Sequence, residues 1–429
     1  MIKLSDVSPV YGNVYLTKKG VDERDLTKLR KLDGVRYRNI DQKWIDDNGD
    51  IYKEIDKYTG KKFWLQMNCK SMNAKGEFVE NVDIKLLYPC GINTVPDQDI
   101  DHIREVDQEF MNIIIDLGII SGEDDPNYKR YSKVRATGVA CLMTPGQTLK
   151  DMYGLAHYAF FSVVYDDFIG ENKNDYTYAE LSVMTAAIAD IMNGKEVDMK
   201  KLREKIHDHE PEVKRDFFRK ILKFVKLQYK DMDSHRHLGV DPIHYIKTYL
   251  QWIDSIHIEQ CKEWPHELNN PELYKKGQQQ LRLVTIAAII SLEMILYYKG
   301  VSIDQNIRDT FLFKFFYDLL CQQTCRMNDI MSFPKEYAFG DEGNVVMLHM
   351  RDGLSASEAI QKAAKECNDL TTQINQIGNL LLKVHKGNEQ VVKVVENLWW
   401  TAHGHMQWYH YTPRYQPGMV CHCIVEDDE

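Results

Sequence analysis

Asn328-Asp329-Ile330-Met331-Ser332-Phe333-Pro334-Lys335-Glu336 sets three oxygen-bearing side chains, Asn328, Ser332 and Glu336, at steps of four residues. On an α-helix each such step turns about 400°, so consecutive members are offset by only about 40° and face one object. An amide carbonyl, a hydroxyl and a carboxylate are hard donors, which suit Mg²⁺ far better than zinc or copper. Asp329 and Lys335 bracket the face with opposite charges, and Lys335 has the reach to meet an anion held by the metal. An ordinary amphipathic helix would also show such a polar face. Pro334 lies inside the stretch, where a helix loses the bond back to Ile330 and crowds that carbonyl. Asn328 and Ser332 are therefore expected on regular helix, with Glu336 brought to the metal by a kink or a loosened turn.

The surrounding chain of 429 residues, 44% of them hydrophobic, can bury one large core or two smaller ones. Its 54 basic against 64 acidic residues give a net charge of −10, which argues against nucleic acid as a partner. A polyanionic small substrate stays open, because a bound metal supplies local positive charge. The N-terminal Met-Ile-Lys-Leu-Ser-Asp carries no apolar run of signal-peptide length, and the apolar stretch Leu283 to Tyr298 is short and broken by Glu293. No stable membrane insertion and a cytoplasmic location are expected, and a homodimer is allowed. The nine cysteines lack framework spacing and read as reduced thiols.

Residues 1–85 are rich in Lys, Asp and Gly, with turn signals at Asp33-Gly34, Asn48-Gly49, Thr59-Gly60 and Lys75-Gly76. They read as a small N-terminal appendage of unknown role, with a hairpin over Lys62 to Cys69 and Phe78 to Leu87. Residues 86–429 read as the main domain. Helices are expected from Asp99 onward: Thr148 to Phe168 closed by Gly170, Ala179 to Met192, Pro211 to Asp231 and Pro242 to Glu263. Leu281 to Lys299, Ile307 to Ser332, Ser355 to His385 and Asn388 to Gln407 follow. No strand alternation shows after residue 98, so the fold class is all-α.

A second acidic cluster, Asp166-Asp167-Phe168-Ile169-Gly170-Glu171, ends a helix of aromatic and β-branched residues. Ionised carboxylates at the tip of an apolar helix are costly, and the negative end of the helix dipole worsens the mismatch. Divalent cations resolve both. Asp124-Asp125, in a Gly-Glu-Asp-Asp-Pro loop, reads as a solvated turn. Arg282 is the one charge near the start of the apolar Leu281 helix, and a guanidinium fork matches phosphate oxygens. His-x-His pairs at 207/209, 235/237 and 403/405 lack a matching pair at a zinc-finger interval.

Taken in order, these residues resemble the class I terpene synthases, of the microbial and octocoral type. Residues 328–336 fill that family's N-D-x-x-S-x-x-K-E metal motif without a gap. Asp166 to Glu171 resembles its aspartate-rich motif in a D-D-x-x-x-E form rather than the commoner D-D-x-x-D. The resemblance spans roughly residues 85 to 415. It implies a helical bundle with a small N-terminal appendage, three Mg²⁺ ions and an isoprenyl diphosphate substrate. By the same resemblance Asp166 is the principal metal ligand, facing Asn328 across the active site, with Asp167 and Glu171 in support. Arg282 would sense the diphosphate, Thr285 would be the linker, and Ile286 the effector whose backbone carbonyl helps trigger ionisation, although many relatives carry a small residue there. In Gly404 to Tyr415, Arg414 and Tyr415 would donate to the diphosphate and Trp408 would wall the pocket. Phe160 is a second wall candidate, since an aromatic face stabilises a carbocation.

The implied activity is that of a terpene cyclase, a carbon–oxygen lyase releasing diphosphate. Geranylgeranyl diphosphate is the favoured substrate, by resemblance to octocoral diterpene cyclases, and farnesyl diphosphate is next. A chain-elongating prenyltransferase shares the bundle but would carry a second aspartate-rich motif where Asn328, Ser332 and Glu336 stand. A class II cyclase needs a D-x-D-D motif, which is absent from the chain. A non-enzymatic helical interaction protein accounts for the helices but not for four polar motifs in register.

Overall fold

The computed structural model describes residues 62–73, 76–89, 100–144, 148–171, 177–198, 212–260, 270–339, 343–412 and 414–415, together with strands at 11–16, 30–38, 43–46 and 421–425. The strands are β1 (Tyr11–Leu16), β2 (Arg30–Arg38), β3 (Lys43–Asp46), β4 (Phe63–Met72), β5 (Phe78–Leu87) and β6 (Cys421–Val425). The helices begin with α1 (Ile100–Asp116), α2 (Tyr128–Tyr131), α3 (Ala136–Met143), α4 (Leu149–Glu171), α5 (Tyr178–Met192), α6 (Glu212–Ser234) and α7 (Ile243–Gln260). They continue as α8 (Pro271–Thr285), α9 (Ala288–Tyr298), α10 (Gln305–Arg308), α11 (Phe311–Phe339), α12 (Val345–Arg351), α13 (Ala356–Val384) and α14 (Glu389–Tyr411). The chain divides into two units, one of residues 1–99, 138–149 and 301–429, the other of residues 100–137 and 150–300.

In the first unit α11 packs on α12, α13 and α14. The α13 helix starts in a capping box, Ser355 accepting from the Glu358 amide while the Glu358 side chain bonds the Ser355 amide. Its buried residues Ala359, Ile360, Ala363, Ala364, Cys367, Leu370, Thr371, Ile374, Gly378 and Leu381 form a stripe at three- and four-residue spacing. Gly378 is where this stripe meets α14 and α11: an added Cβ would stand 2.5 Å from the Trp399 ring and 3.2 Å from Phe316. The β4–β5 hairpin lies on α13 and α11. Its inward residues Leu65, Met67, Cys69, Val82, Ile84 and Leu86 are buried in the alternation a half-buried strand pair requires. The Asn368 amide of α13 clamps the end of β5, accepting from the Leu87 amide at 2.7 Å and donating to the Lys85 carbonyl at 2.8 Å.

One strand departs from the all-helical expectation after residue 98. β6 pairs antiparallel with β4, in the order β5-β4-β6, with Phe63 opposite Val425. Five residues in an acidic tail carry too little pattern to signal a strand; the open edge of β4 supplies the order. β1, β2 and β3 form a separate antiparallel sheet.

In the second unit α7 packs on α5, α8 and α9, and α5 also meets α6. The interior is aromatic: Phe161 of α4 stacks on Tyr165 at 5.4 Å and lies against Phe224 of α6, Tyr249 and Trp252 of α7. The apolar segment expected as one helix from Leu281 to Lys299 is two helices. Asn270 caps α8 by accepting from the Glu272 and Leu273 amides, with Pro271 in the first turn, so α8 begins ten residues before the apolar run and ends at Thr285. Glu272–Tyr298 is long and apolar enough by composition to cross a membrane; 61% of its most apolar window is buried within the protein.

Candidate functional site

Asn328 and Ser332 are buried on successive turns of α11, and Glu336, half-buried, follows on the next. The Ser332 hydroxyl donates to the Asn328 backbone carbonyl at 2.8 Å and lies 3.3 Å from the Asn328 side-chain oxygen, so two of the three oxygens converge. The Asn328 amide nitrogen is turned the other way, donating to the Tyr409 hydroxyl of α14. The helix expected over Ile307 to Ser332 runs on through Pro334 to Phe339 as α11. Met331, Ser332 and Phe333 are almost wholly buried, and packing on that scale outweighs one absent backbone bond. Asp329, expected to flank the polar face, is instead fully buried and accepts from the Val345 amide at 2.9 Å, at the N-terminal end of α12 where a carboxylate is favoured. Lys335 is half-buried. Cys321 and Cys325 are buried, and the Cys325 thiol lies 3.8 Å from Asp329 Oδ2.

Asn344, just before α12, is the residue that binds this face together. It is fully buried, and its amide donates to the Asp329 carbonyl at 2.8 Å and to Glu336 Oε2 at 2.8 Å, with Ser332 Oγ at 3.5 Å. Its own side-chain oxygen accepts from the Val346 amide at 2.9 Å, capping α12.

The C-terminal motif lies in the same unit. Trp408, Tyr409 and Tyr415 are buried and mutually packed, with ring centroids 4.9, 5.1 and 5.8 Å apart, and the Arg414 guanidinium sits 5.6 Å from the Tyr415 ring centroid. Tyr409 therefore touches both Asn328 and the Arg-Tyr pair. His405 lies edge-on to Tyr409 at 4.7 Å, and burial pushes its imidazole down to about 3. Gly404 abuts α3: a Cβ there would stand 2.3 Å from the Leu142 carbonyl carbon and oxygen. Backbone cannot yield as a side chain can, so Gly404→Ala is expected to cost about 3 kcal/mol or more, read as a fall in Tm.

In the second unit α4 continues to Glu171, so Asp166 and Asp167 lie within its last turns rather than at its end. Helical packing carries the helix past Gly170, which closes nothing. Asp166 is half-buried; Asp167 is buried and pairs with Arg130 of α2 at 2.7 Å. Glu171 is the last residue of α4, and its side chain lies outside the described residues. Directly before Asp166, the Tyr165 hydroxyl bonds His257 Nε2 of α7, and His257 Nδ1 lies 2.9 Å from the Thr185 hydroxyl of α5. Burial pushes His257 down to about 3, so the ring is neutral and takes one bond as acceptor and gives the other as donor. Three helices are thereby tied beside Asp166. Phe160 stacks on Phe110 of α1 at 5.7 Å as buried core.

Arg282, Thr285 and Ile286 sit at the break between α8 and α9. Arg282 and Thr285 are buried, and Ala287 takes the left-handed conformation at φ 63°. A non-glycine residue there costs about 1–2 kcal/mol, and the break re-aims successive carbonyls. The Arg282 carbonyl accepts from the Ile286 amide, Val284 from Ala287, and Ala287 from Ser291. The Thr285 carbonyl accepts from the Trp252 indole of α7 at 3.1 Å. Among the described residues the Ile286 carbonyl receives none of these helical bonds. Ala287→Gly is expected to raise stability by about 1 kcal/mol, measured as a denaturation midpoint.

Asn328, Ser332, Glu336, Trp408, Arg414 and Tyr415 thus fall in one unit, and Phe160, Asp166, Asp167, Glu171, Arg282, Thr285 and Ile286 in the other. Asp124-Asp125 is a turn, Asp125 accepting from the Ser121 and Asn127 amides, which hold its carboxyl below its usual range. Among the described residues no three His, Cys, Asp or Glu side chains come together. The pair at 207/209 lies outside the described residues. Asn344, Tyr409, Arg130 and Trp252 were missed by the sequence. Asn344 alone had a local signal, an N-cap residue ahead of an apolar run.

A family profile described as terpene synthase family 2, C-terminal metal binding, matches residues 157–373, just over half of the chain. The chain belongs to that family. A sesquiterpene synthase of Piloderma croceum is 23% identical over 175 residues, 40% of this chain and 50% of the relative. The chain thus spans about half the length of that curated relative. Among solved structures, germacradien-4-ol synthase of Streptomyces citricolor superposes with a TM-score of 0.54 at 13% identity, over 74% of this chain and 98% of the other. The 2-methylisoborneol synthase of Streptomyces coelicolor A3(2), solved with Mg²⁺ and 2-fluoroneryl diphosphate, gives 0.57 at 14% identity, over 76% and 96%. These likenesses establish the helical class I terpene synthase fold.

Proposed function

We propose that the chain is a Mg²⁺-dependent terpene cyclase that ionises an isoprenyl diphosphate and cyclises the cation to a di- or sesquiterpene. The observation that carries the reading is the oxygen face of α11. Asn328 Oδ1 and Ser332 Oγ converge to 3.3 Å, and Glu336 is tied to the same face through Asn344. These hard donors fit Mg²⁺, and Asp166, Asp167 and Glu171 are the further acidic ligands in this reading, for three ions in all. When bound, Mg²⁺ supplies positive charge to the departing diphosphate.

The remaining work falls to the chain itself. Arg282, Lys335, Arg414 and Tyr415 donate to phosphate oxygens as charge builds on them. Arg282 is buried in the last turn of α8, with the Thr285 linker and Ile286 directly after it. The Ile286 carbonyl, uncommitted to helix, lends electron density to the allylic cation as the carbon–oxygen bond lengthens. Trp408 forms apolar wall, Phe160 is the second wall candidate, and the terminal Arg-Tyr segment excludes water while the ring closes. Loss of a proton or capture of water ends the reaction.

Geranylgeranyl diphosphate is the first substrate in this reading; the similarity to a sesquiterpene synthase supports farnesyl diphosphate as the second. Incubating purified protein and Mg²⁺ with C10, C15, C20 and C25 diphosphates, followed by gas chromatography with mass detection, should give a cyclic hydrocarbon or alcohol from the C20 or C15 substrate. No metal-dependent product from any of the four contradicts the proposal.

A further inference from the structure

Pro334 stands between the second and third oxygens of the α11 face, Ser332 and Glu336, and has no backbone N–H to bond the Ile330 carbonyl one turn back. Asn344 spans that gap. One donated bond reaches the Asp329 carbonyl, five residues before the proline, and another reaches Glu336 Oε2, two residues after it, each 2.8 Å long. The Asn344 oxygen is committed to the Val346 amide at 2.9 Å, so the amide has one orientation and its nitrogen must face α11. The side chain is fully buried, which leaves no water to replace it. Resting on the metal reading given above, we propose that Asn344 is a positioning residue. It holds the Glu336 carboxylate in register with Asn328 and Ser332 across the proline, and so sets the metal affinity of the whole face.

The helix-capping role of Asn344 and this bracing role separate by mutation. Asn344→Ser keeps an oxygen to cap α12 and removes both amide donors; Asn344→Thr does the same should the serine variant not fold. Full-length protein titrated calorimetrically with inorganic diphosphate in the presence of Mg²⁺ reads the site without turnover. The variant should bind about 10–100-fold more weakly, the usual effect of losing a partner that orients a metal ligand, with its circular dichroism spectrum unchanged. Adding Pro334→Ala restores a backbone donor to α11, so the double variant should regain several-fold of the lost affinity, a non-additive coupling. Binding by Asn344→Ser within about twofold of wild type overturns the brace, as does a double variant no better than the single one. If wild-type protein itself binds no diphosphate with Mg²⁺, the metal reading fails and the brace falls with it. Wild-type binding with an unaffected variant removes only the brace.

Discussion

Asn328→Ala should lower turnover of the isoprenyl diphosphate by more than about 10²-fold, beyond what loss of an outer partner of a metal site usually costs. The substitution removes the oxygen that lies 3.3 Å from Ser332 Oγ, and with it the bond to the Tyr409 hydroxyl. Tyr409→Phe separates the two effects: it deletes the bond to Asn328 but leaves the amide oxygen in place. That variant should lose about 10-fold at most and recover with added Mg²⁺, because an amide freed of its partner still presents oxygen part of the time. Titrations of kcat against Mg²⁺ for both proteins check the pair. An unchanged rate in Asn328→Ala would reduce α11 to a structural helix.

Acid should destabilise the fold steeply between pH 6.5 and pH 5. His157, His257 and His405 are buried, and burial alone pushes their imidazoles down to about 4, 3 and 3. Unfolded, each would titrate near 6.5. The unfolded chain therefore binds more protons in this window, and stability falls as pH falls: it is fully present above about 6.5 and drains toward the folded values. Each histidine contributes a slope of about 1.4 kcal/mol per pH unit below 6.5, hence about 2 kcal/mol at pH 5. Asp107 and Asp231, raised by burial, act in the opposite sense, stabilising as pH falls toward and below the ordinary carboxylate range. Denaturant midpoints at pH 7.5, 6.5, 5.5 and 5.0 read the curve, and His405→Gln should flatten it by about a third if the three groups act alike. A flat profile would mean these histidines are not held neutral.

What the sequence disclosed and what it hid follow from the range of each signal. Four-residue spacing is a local property, so the shared face of Asn328, Ser332 and Glu336 was legible, as was a helix from Ser355 to His385. The break at Ile286–Ala287 was hidden because nothing in Arg-Leu-Val-Thr-Ile-Ala-Ala-Ile marks a left-handed residue; Ala287 adopts that conformation two residues after the Thr285 carbonyl, which accepts from the Trp252 indole of α7. The extension of α4 through Gly170 and of α11 through Pro334 have the same origin, tertiary burial overriding a local breaker. Arg130 and Tyr409 were invisible for a different reason. Their partners, Asp167 and Asn328, lie 37 and 81 residues away, and no spacing rule reaches that far. β6 needed the open edge of β4, which only the folded chain presents.

Metal-dependent ionisation of an isoprenyl diphosphate liberates inorganic diphosphate, and measuring that release tests the proposed function. With geranylgeranyl or farnesyl diphosphate and Mg²⁺, the wild-type protein should release one diphosphate per molecule of substrate consumed, and release should stop when the metal is chelated and resume when Mg²⁺ is restored. No release from either substrate, or release that continues at the same rate under chelation, would contradict it.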